Sequence, residues 1–258
     1  MPVLEDPDGS RSRFLVDAAG ELIARFEAGE RDGRQQADFF APVDGVTPAG
    51  AVAAVMDELR GWLGAGEEPF ARLLVAAGAR PLRHSHVMSR DLERDPAPSE
   101  WLEPKLPAGI RLTPVDRPAI DLAPALLAAF PPDHPDYGEM RAPDHPEVEL
   151  EELMSGRVMG PLLRCSALAV GEGGEVVGAI LVNGKPGEPP FDGPWISDVF
   201  RHPVVPGVGG PLLKRALAVA THDRLPALSL AVTHTNPAIA IYAALGFDDL
   251  LNVLNIDV

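Results

Sequence analysis

The sequence contains a single cysteine, Cys165, among its 258 residues. No disulfide can therefore form within the chain, and a reducing interior is its simplest setting. A catalytic thiol is one interpretation of Cys165, but the residue stands beside the apolar run at residues 167–170. We therefore expect a packed cysteine.

Basic residues are scarce, with 22 Lys and Arg against 38 Asp and Glu and a formal net charge of −16. Contact with phosphate groups requires Lys and Arg, so this balance argues against nucleic acid or an anionic membrane surface as partner. A cationic amine is a better match. The acidic residues are spread along both halves of the chain, which favours solubility as the simplest reason for the charge.

Long apolar runs are also missing. No stretch reaches the length of a membrane span, and the first residues do not have the basic-then-apolar order of a signal peptide. We therefore expect a soluble, cytoplasmic protein.

The most informative part of the sequence is residues 195–247. Residues 195–201 predict a strand, since β-branched and aromatic residues are frequent there. Pro203 and Pro206 lack the N–H that a central ladder needs and so end the strand. A turn rich in glycine follows, formed by Gly207, Val208, Gly209 and Gly210.

A helix opens directly from this turn, with Pro211 expected at its first position. Free N–H groups and the helix dipole make such a turn a site for phosphate or pyrophosphate. A P-loop does not fit, because no Gly-Lys-Ser/Thr is present. A Rossmann fingerprint fits poorly, because Leu212 stands at the third glycine. A turn that binds nothing remains the interpretation if the motif is taken alone.

The residues beyond the helix add a second strand, 227–233, and another helix that begins at Asn236-Pro237. In this order Asn236, Tyr242, Gly246 and Phe247 resemble the final segments of the GCN5-related N-acetyltransferase (GNAT) superfamily. The resemblance implies a mixed α/β fold whose central sheet is mostly antiparallel and flanked by helices. It also implies acetyl-CoA as donor, CoA as product and a primary amine of a small molecule or peptide as acceptor.

The same resemblance implies catalytic roles for two side chains. Asp198 would be the general base that takes a proton from the amine, and a paired or solvated strand carboxylate is the structural alternative. Tyr242 would be the general acid that protonates the leaving thiolate, against a core tyrosine whose hydroxyl merely finds a partner.

Backbone groups are expected to hold most of the cofactor. By resemblance, the segment Val199, Phe200 and Arg201 would contact the acetyl and pantetheine parts, through the N–H groups of Val199 and Arg201. The N–H groups of residues 207–210 would bind the pyrophosphate. Asn236 would contact the pantetheine arm or cap its own helix.

The acceptor side is expected in the loop between the first two helices of the second half. Its candidate amine-binding residues are Asp133, His134, Asp136 and Tyr137. The pairs Asp133-His134 and Asp144-His145 also suggest a metal, but their proline-rich spacing favours a plain loop, and we expect no metal.

Four prolines between residues 93 and 109 predict a linker, which divides the chain. Residues 110–258 form the predicted GNAT domain. Residues 1–92 look like a partial, non-catalytic copy, in which Leu74 stands at the position of Tyr242 and Ala79 at that of Phe247. The copy is expected to contain a hairpin, a strand at 37–40, a helix at 49–63 and another at 70–78.

One departure from the family pattern keeps other functions open. Val204 stands where the family's glycine turn usually begins with Gln or Arg. This motivates a second hypothesis, a non-catalytic acyl-CoA-binding or regulatory module. A third is a structural or partner-binding domain, and homodimer formation is left open.

Overall fold

The structure, a computed structural model, describes residues 3–5, 12–17, 19–31, 33–137, 145–189 and 192–258. Among these residues no helix is both long enough and apolar enough to cross a membrane. The chain forms two compact units. Unit 1 consists of Met1–His86 together with Leu251–Val258, and unit 2 of Val87–Leu250.

Unit 1 is a sheet with helices on one face. Its elements are β1 (Val3–Glu5), β2 (Ser12–Val16), β3 (Leu22–Arg31), β4 (Arg34–Pro42), α1 (Pro48–Glu58), β5 (Leu63–Glu67), α2 (Glu68–Ala76), the first part of β6 (Arg80–Asp91) and the last part of β12 (Asp248–Asp257). The strand order is β1-β2-β3-β4-β5-β12. Neighbours are antiparallel except β4 and β5, which are parallel.

A single apolar core holds unit 1 together. Val55 and Leu59 of the α1 region and Leu74 of α2 pack on Phe40 of β4 and Ile256 of β12. Burial of each of these side chains contributes about 1.5–3 kcal/mol. The core therefore depends on residues from both ends of the sequence.

Unit 2 is a sheet with helices on both faces. Its elements are the rest of β6, a 3₁₀ turn (Ser99–Leu102), β7 (Arg111–Thr113), α3 (Ala119–Ala129), α4 (Pro146–Met154), β8 (Ala167–Val170), β9 (Val176–Lys185), β10 (Gly193–Arg201), α5 (Gly209–His222), β11 (Ala227–Thr233), α6 (Ala238–Ala244) and the start of β12. The strand order is β6-β11-β10-β9-β8-β7. β10 and β11 are parallel, whereas β7 to β10 pair antiparallel.

Alternation along β9 explains the two cores of unit 2. Ile180 and Val182 belong to the core that contains α5 and α6. Ala179 and Leu181 belong to the core under α3 and α4. Successive strand residues point to opposite faces, so an uninterrupted apolar run predicts a strand buried on both sides. The predicted fold class, a mostly antiparallel sheet flanked by helices, is confirmed.

The two units repeat one pattern. The series β2-β3-β4-α1-β5-α2-β6 of the first half matches β8-β9-β10-α5-β11-α6-β12 of the second. Each series has a β-bulge in its third strand, at Phe39 in β4 and at Ser197 in β10. Aligning the bulges places Phe40 of unit 1 at the position of Asp198 in unit 2.

The structure corrects the predicted helix at 49–63. α1 ends at Glu58, Gly61 takes a left-handed conformation with φ of 81°, and residues 63–67 form β5. The sequence does not predict β5 as a strand, because Gly64 and Gly66 have low strand propensity. These glycines are required, since an added Cβ at Gly64 or Gly66 would lie 2.7 Å or 2.3 Å from the Phe40 ring.

The compact units also differ from the predicted bounds of 1–92, 93–109 and 110–258. Val253–Asp257 pair with β5, so the last strand contributes to unit 1 rather than to the second half alone. Residues 93–109 lie within unit 2, where Ala97 is buried and Trp101 packs against the core. Neither feature has a local signal in the sequence.

Candidate functional site

The site in unit 2 begins with a parallel strand pair that is joined at one position. Trp195 of β10 lies opposite Ser229 of β11, and the described residues of the two strands have no other paired position. The bulge at Ser197 follows immediately on β10. A bulge bends its strand and increases the local twist. The half of β10 beyond Ser197 is therefore free of β11.

Backbone donors of β10 point toward this gap. The His202 N–H donates to the Val177 carbonyl on the β9 side, at 2.8 Å. Because N–H groups alternate along a strand, those of Arg201 and Val199 point to the opposite side, toward β11. Phe200 differs from its two neighbours, since its N–H points to β9 and its side chain is buried in the core under α3 and α4. The two amides predicted to face the cofactor thus face the gap.

The glycine turn and the start of α5 form the second part of the site. Gly207 has a φ of 82°, and α5 begins at Gly209. Pro211 is therefore the third helical residue and not the first as predicted, but it still lies in the turn whose N–H groups lack intrahelical partners. No side chain caps α5. Within the described chain, no acceptor is recorded for the N–H groups of residues 207–210.

The space in front of this helix end is open. A Cβ added at Gly209 or Gly210 would meet no atom within 4 Å. Free donors, the positive end of the helix dipole and open space together fit a pyrophosphate group. The residues present therefore fit the cofactor that the fold implies.

Unit 1 provides an internal contrast at the corresponding place. Its strands β4 and β5 are paired at four positions, and the Phe40 ring covers the faces of Gly64 and Gly66. The Thr47 hydroxyl accepts a hydrogen bond from the Gly50 N–H at 3.2 Å and caps α1. In unit 1 the corresponding strands are thus paired, the helix is capped and Leu74 is buried; a role without cofactor binding stays a prediction.

Tyr242 lies on α6 and is buried, with its ring 5.8 Å from that of Phe247. Burial raises the pKa of the Tyr242 phenol, and the negative charges of Asp136 and Asp198 raise it further. The phenol is thus kept protonated well above neutral pH, which is the state that a proton donor requires.

Two carboxylates act electrostatically on that phenol. Asp198, the residue after the β10 bulge, is 7% exposed. Asp136 comes from the loop after α3 and accepts hydrogen bonds from the Thr233 hydroxyl and the Asn236 amide. Thr233 ends β11 and Asn236 precedes α6. Residues far apart in sequence are thus gathered around Tyr242.

Asn236 has a structural role in this arrangement. Its Oδ1 accepts from the Ala238 N–H at 2.8 Å, which caps α6. Its Nδ2 donates to Asp136. The capping alternative is therefore realised, and contact with a pantetheine arm stays a prediction.

The predicted acceptor residues occupy different surroundings. Asp133 is exposed, whereas Asp136, three residues further along the loop, is one of the two carboxylates that act on Tyr242. The His134 ring lies edge-on to Phe130 at 4.8 Å, and its Nδ1 accepts from the Asp136 N–H. Tyr137 is partly buried and donates its N–H to the His134 carbonyl. Asp144 lies outside the described residues.

The metal and thiol interpretations of the sequence can be compared with the geometry of the described residues. No three His, Cys, Asp or Glu side chains are close enough to hold a metal ion in the part of the chain that the structure describes. Burial raises the pKa of the Cys165 thiol to about 12. The thiol is therefore neutral and packed, as expected.

The sequence interpretation missed three polar contributors: Thr233, Asn183 and Ser197. Thr233 orients Asp136, and Asn183 accepts a hydrogen bond from the Ser197 hydroxyl at 2.8 Å. These contacts join residues 97 and 14 positions apart. Only the sequence Asn-Gly after an apolar strand marks Asn183, and that signal would suggest a turn.

Comparison with solved structures identifies the fold. The structure is similar to a GCN5-related N-acetyltransferase from Sphaerobacter thermophilus, with a TM-score of 0.65 and 19% identity over 96% of this chain and 80% of that one. It is also similar to a tandem GNAT protein from the clavulanic acid biosynthesis pathway, with a TM-score of 0.56 and 18% identity over 95% and 81% of the two chains. Neither protein-family models nor curated proteins give a match. The chain therefore has the same fold as these N-acetyltransferase structures.

The electrostatic grouping around Tyr242 can be tested by phenol ionisation. Tyr137 and Tyr242 are the only tyrosines, so Tyr137→Phe leaves Tyr242 as the sole titrating phenol. In that background Tyr242 should ionise well above the usual pKa of a tyrosine, and Asp198→Asn should lower its pKa by removing a nearby negative charge. Ultraviolet absorbance of phenolate against pH, with circular dichroism to confirm folding, measures both. An ordinary pKa in the folded parent would contradict the grouping, and Tyr242→Phe provides the matched titration of Tyr137.

Proposed function

We propose that unit 2 is an N-acetyltransferase, which binds acetyl-CoA between β10 and β11 and acetylates a primary amine of a small molecule or peptide by direct attack. The observation that carries the proposal is the open gap at the uncapped start of α5, with Asp198 and Tyr242 buried beside it. The GNAT fold of the chain supports it.

Backbone groups would hold the donor. The N–H groups of residues 207–210 would bind the pyrophosphate, and those of Val199 and Arg201 would contact the acetyl and pantetheine parts. When bound, acetyl-CoA supplies an acyl thioester. No basic side chain is required for this mode of binding, which agrees with the scarcity of Lys and Arg.

Two side chains would move protons. Asp198 accepts the proton that the amine loses, directly or through water, so that its nitrogen can form the new bond to the acetyl carbon. Tyr242 donates a proton to the sulfur as the carbon–sulfur bond breaks. Each step of this kind contributes typically about 10²–10⁴-fold to the rate. No acyl-enzyme is needed, in agreement with the neutral, buried thiol of Cys165.

Charge near the site supports a cationic acceptor. Asp136 and Asp198 are both close enough to raise the pKa of Tyr242, so both carboxylates act on the same small volume. Opposite charge attracts an ammonium ion, and a carboxylate base can then deprotonate it. Of the two acidic candidates in the loop, Asp136 is therefore the one that this grouping favours for amine binding.

One observation favours a second candidate, an acyl-CoA-binding module without turnover. The Val204 side chain is 76% exposed and stands where the family pattern usually has Gln or Arg. The side chain of a valine cannot donate a hydrogen bond to a phosphate. Donor binding would then be retained while turnover is lost.

Binding at the start of α5 is tested by a pair of substitutions at Gly209. Gly209→Asp should lower the affinity for CoA at least about tenfold relative to Gly209→Ala, because two unit charges about 4 Å apart interact by about 4 kcal/mol near a protein surface. An added Cβ meets no atom within 4 Å there, so Gly209→Ala is not sterically impeded and isolates the effect of the aspartate charge. Isothermal titration calorimetry with CoA measures the difference.

Pantetheine, which lacks the pyrophosphate, is the matched ligand for this pair. Its affinity should be the same in Gly209→Asp and Gly209→Ala. Equal CoA affinities in the two variants would show that the pyrophosphate does not bind at this helix end.

Turnover is tested by CoA release from acetyl-CoA across a panel of primary amines. Tyr242→Phe should reduce kcat by about 10²-fold or more with little change in acetyl-CoA affinity. Asp198→Asn should reduce the rate most at neutral pH and less at high pH, where free amine is abundant.

Three outcomes distinguish the candidates. Unchanged kcat in Tyr242→Phe excludes its role as acid, and a loss in Asp198→Asn that is equal at every pH indicates a structural role. Tight binding of acetyl-CoA by the parent protein without CoA release on any amine would favour the module without turnover.

A further inference from the structure

A buried polar network lies next to the β10 bulge. Asn183 of β9 has no exposed surface, and its Nδ2 donates to the Leu153 and Gly160 carbonyls, both at 2.8 Å. Its Oδ1 accepts from the Ser197 hydroxyl, also at 2.8 Å. Both amide protons and the carbonyl oxygen of this side chain are therefore used, as a buried amide requires.

The segment between α4 and β8 is fixed to the same place. The Gly184 N–H donates to the Pro161 carbonyl at 2.8 Å, and the Leu163 N–H donates to the Val182 carbonyl at 2.7 Å. Gly160 has a φ of 75°, and a Cβ there would lie 2.2 Å from the Gly184 carbonyl oxygen. The network thus has a close-packed support that leaves Asn183 little freedom to move.

Ser197 connects this support to the candidate base. It is the extra residue of the bulge, since Ile196 pairs with Val182 and Asp198 pairs with the adjacent Leu181. A bulge re-aims the side chains around it, so the hydrogen bond that fixes Ser197 also sets the direction of Asp198.

Unit 1 has the bulge without the network. With the bulges aligned, Phe39 stands at the position of Ser197 and Phe40 at that of Asp198. The register of β3 with β4 then places Ala28 at the position of Asn183. In unit 2, where the bulge precedes Asp198, the polar pair Ser197 and Asn183 is present. In unit 1, where the bulge precedes Phe40, Phe39 and Ala28 stand at the positions of this pair.

We propose that Ser197 and Asn183 are positioning residues, whose hydrogen bond fixes the bulge so that the Asp198 carboxylate is held toward Tyr242. This inference rests on the proposed function, because a general base must point toward the group that it deprotonates, and Asp198 is the proposed base. It assigns no contact with substrate to Ser197 or Asn183.

The test measures the ionisation of the Tyr242 phenol, so it can be done without an amine substrate. In the Tyr137→Phe background, Ser197→Ala should increase the phenolate fraction at a fixed alkaline pH severalfold and in the same direction as Asp198→Asn, since both remove the carboxylate from the vicinity of the phenol. Ser197→Thr keeps the hydroxyl and should restore the parent value.

Ser166→Ala is the matched control. The Ser166 hydroxyl is buried and hydrogen-bonds both the N–H and the carbonyl of Val182, one residue from Asn183. Its loss should loosen β9 to a similar extent, as urea unfolding will show, without raising the phenolate fraction. An equal rise in Ser166→Ala would overturn the positioning role, because general loosening would then explain the effect.

Kinetics with an accepted amine provide the second measurement. Ser197→Ala should reduce kcat by about tenfold or more through misplacement of the base, with the KM for acetyl-CoA unchanged. A fall in Tyr242 pKa in Asp198→Asn without one in Ser197→Ala overturns the positioning role alone. If the pKa of Tyr242 does not fall in Asp198→Asn either, the grouping of Asp198 with Tyr242, and with it the proposed site, is overturned. A failure of the positioning role can thus be distinguished from a failure of the proposed function.

Discussion

The arrangement of the candidate site depends on how β10 leaves β11. The two parallel strands share one paired position, Trp195 with Ser229, and the bulge at Ser197 follows at once. Had pairing continued, the N–H groups of Val199 and Arg201 would be satisfied within the sheet and no ligand could reach them. Departure of the strand leaves these donors available and brings the start of α5 and the end of β11 to the same opening.

The same constraint explains why a buried and a partly buried carboxylate, those of Asp198 and Asp136, are gathered there. Asp198 follows the bulge, and Asp136 is tied to the end of β11 through Thr233 and Asn236. Burial raises the pKa of the Tyr242 phenol most, and both carboxylates raise it further. Burying charged groups costs free energy unless hydrogen bonds compensate for lost water, and a site with a chemical task is where proteins retain such groups.

Unit 1 shows what the shared pattern becomes when the gap is closed. Pairing of β4 with β5 continues over four positions, and Phe40 occupies the space that Gly64 and Gly66 leave. Its core also includes Leu254 and Ile256 from the end of the chain. Unit 1 thus has an apolar core that is completed by the last strand. Its described residues do not include a group of buried polar side chains like the one around Tyr242.

Local patterns in the sequence predicted much of unit 2. Proline and glycine mark the limits of β10, α5 and α6, and apolar spacing within those limits distinguishes strand from helix. The same signals failed for β5. Its two glycines are required because the Phe40 ring packs against them, although glycine has low strand propensity. The roles of Tyr242 and Asp198 were predicted from the resemblance to the family, and they stay predictions. Their grouping with Asp136, and the bond between Ser197 and Asn183, depend on contacts between distant residues that no local pattern encodes.

In the function proposed here, acetyl-CoA binds in the gap of unit 2 and not at the closed counterpart in unit 1. Amide hydrogen exchange with and without acetyl-CoA can distinguish the two places. We expect slower exchange at Val199, Arg201 and residues 207–210, with unchanged exchange along β4 and β5. Protection in β4 and β5, or none at the start of α5 under saturating acetyl-CoA, would contradict it.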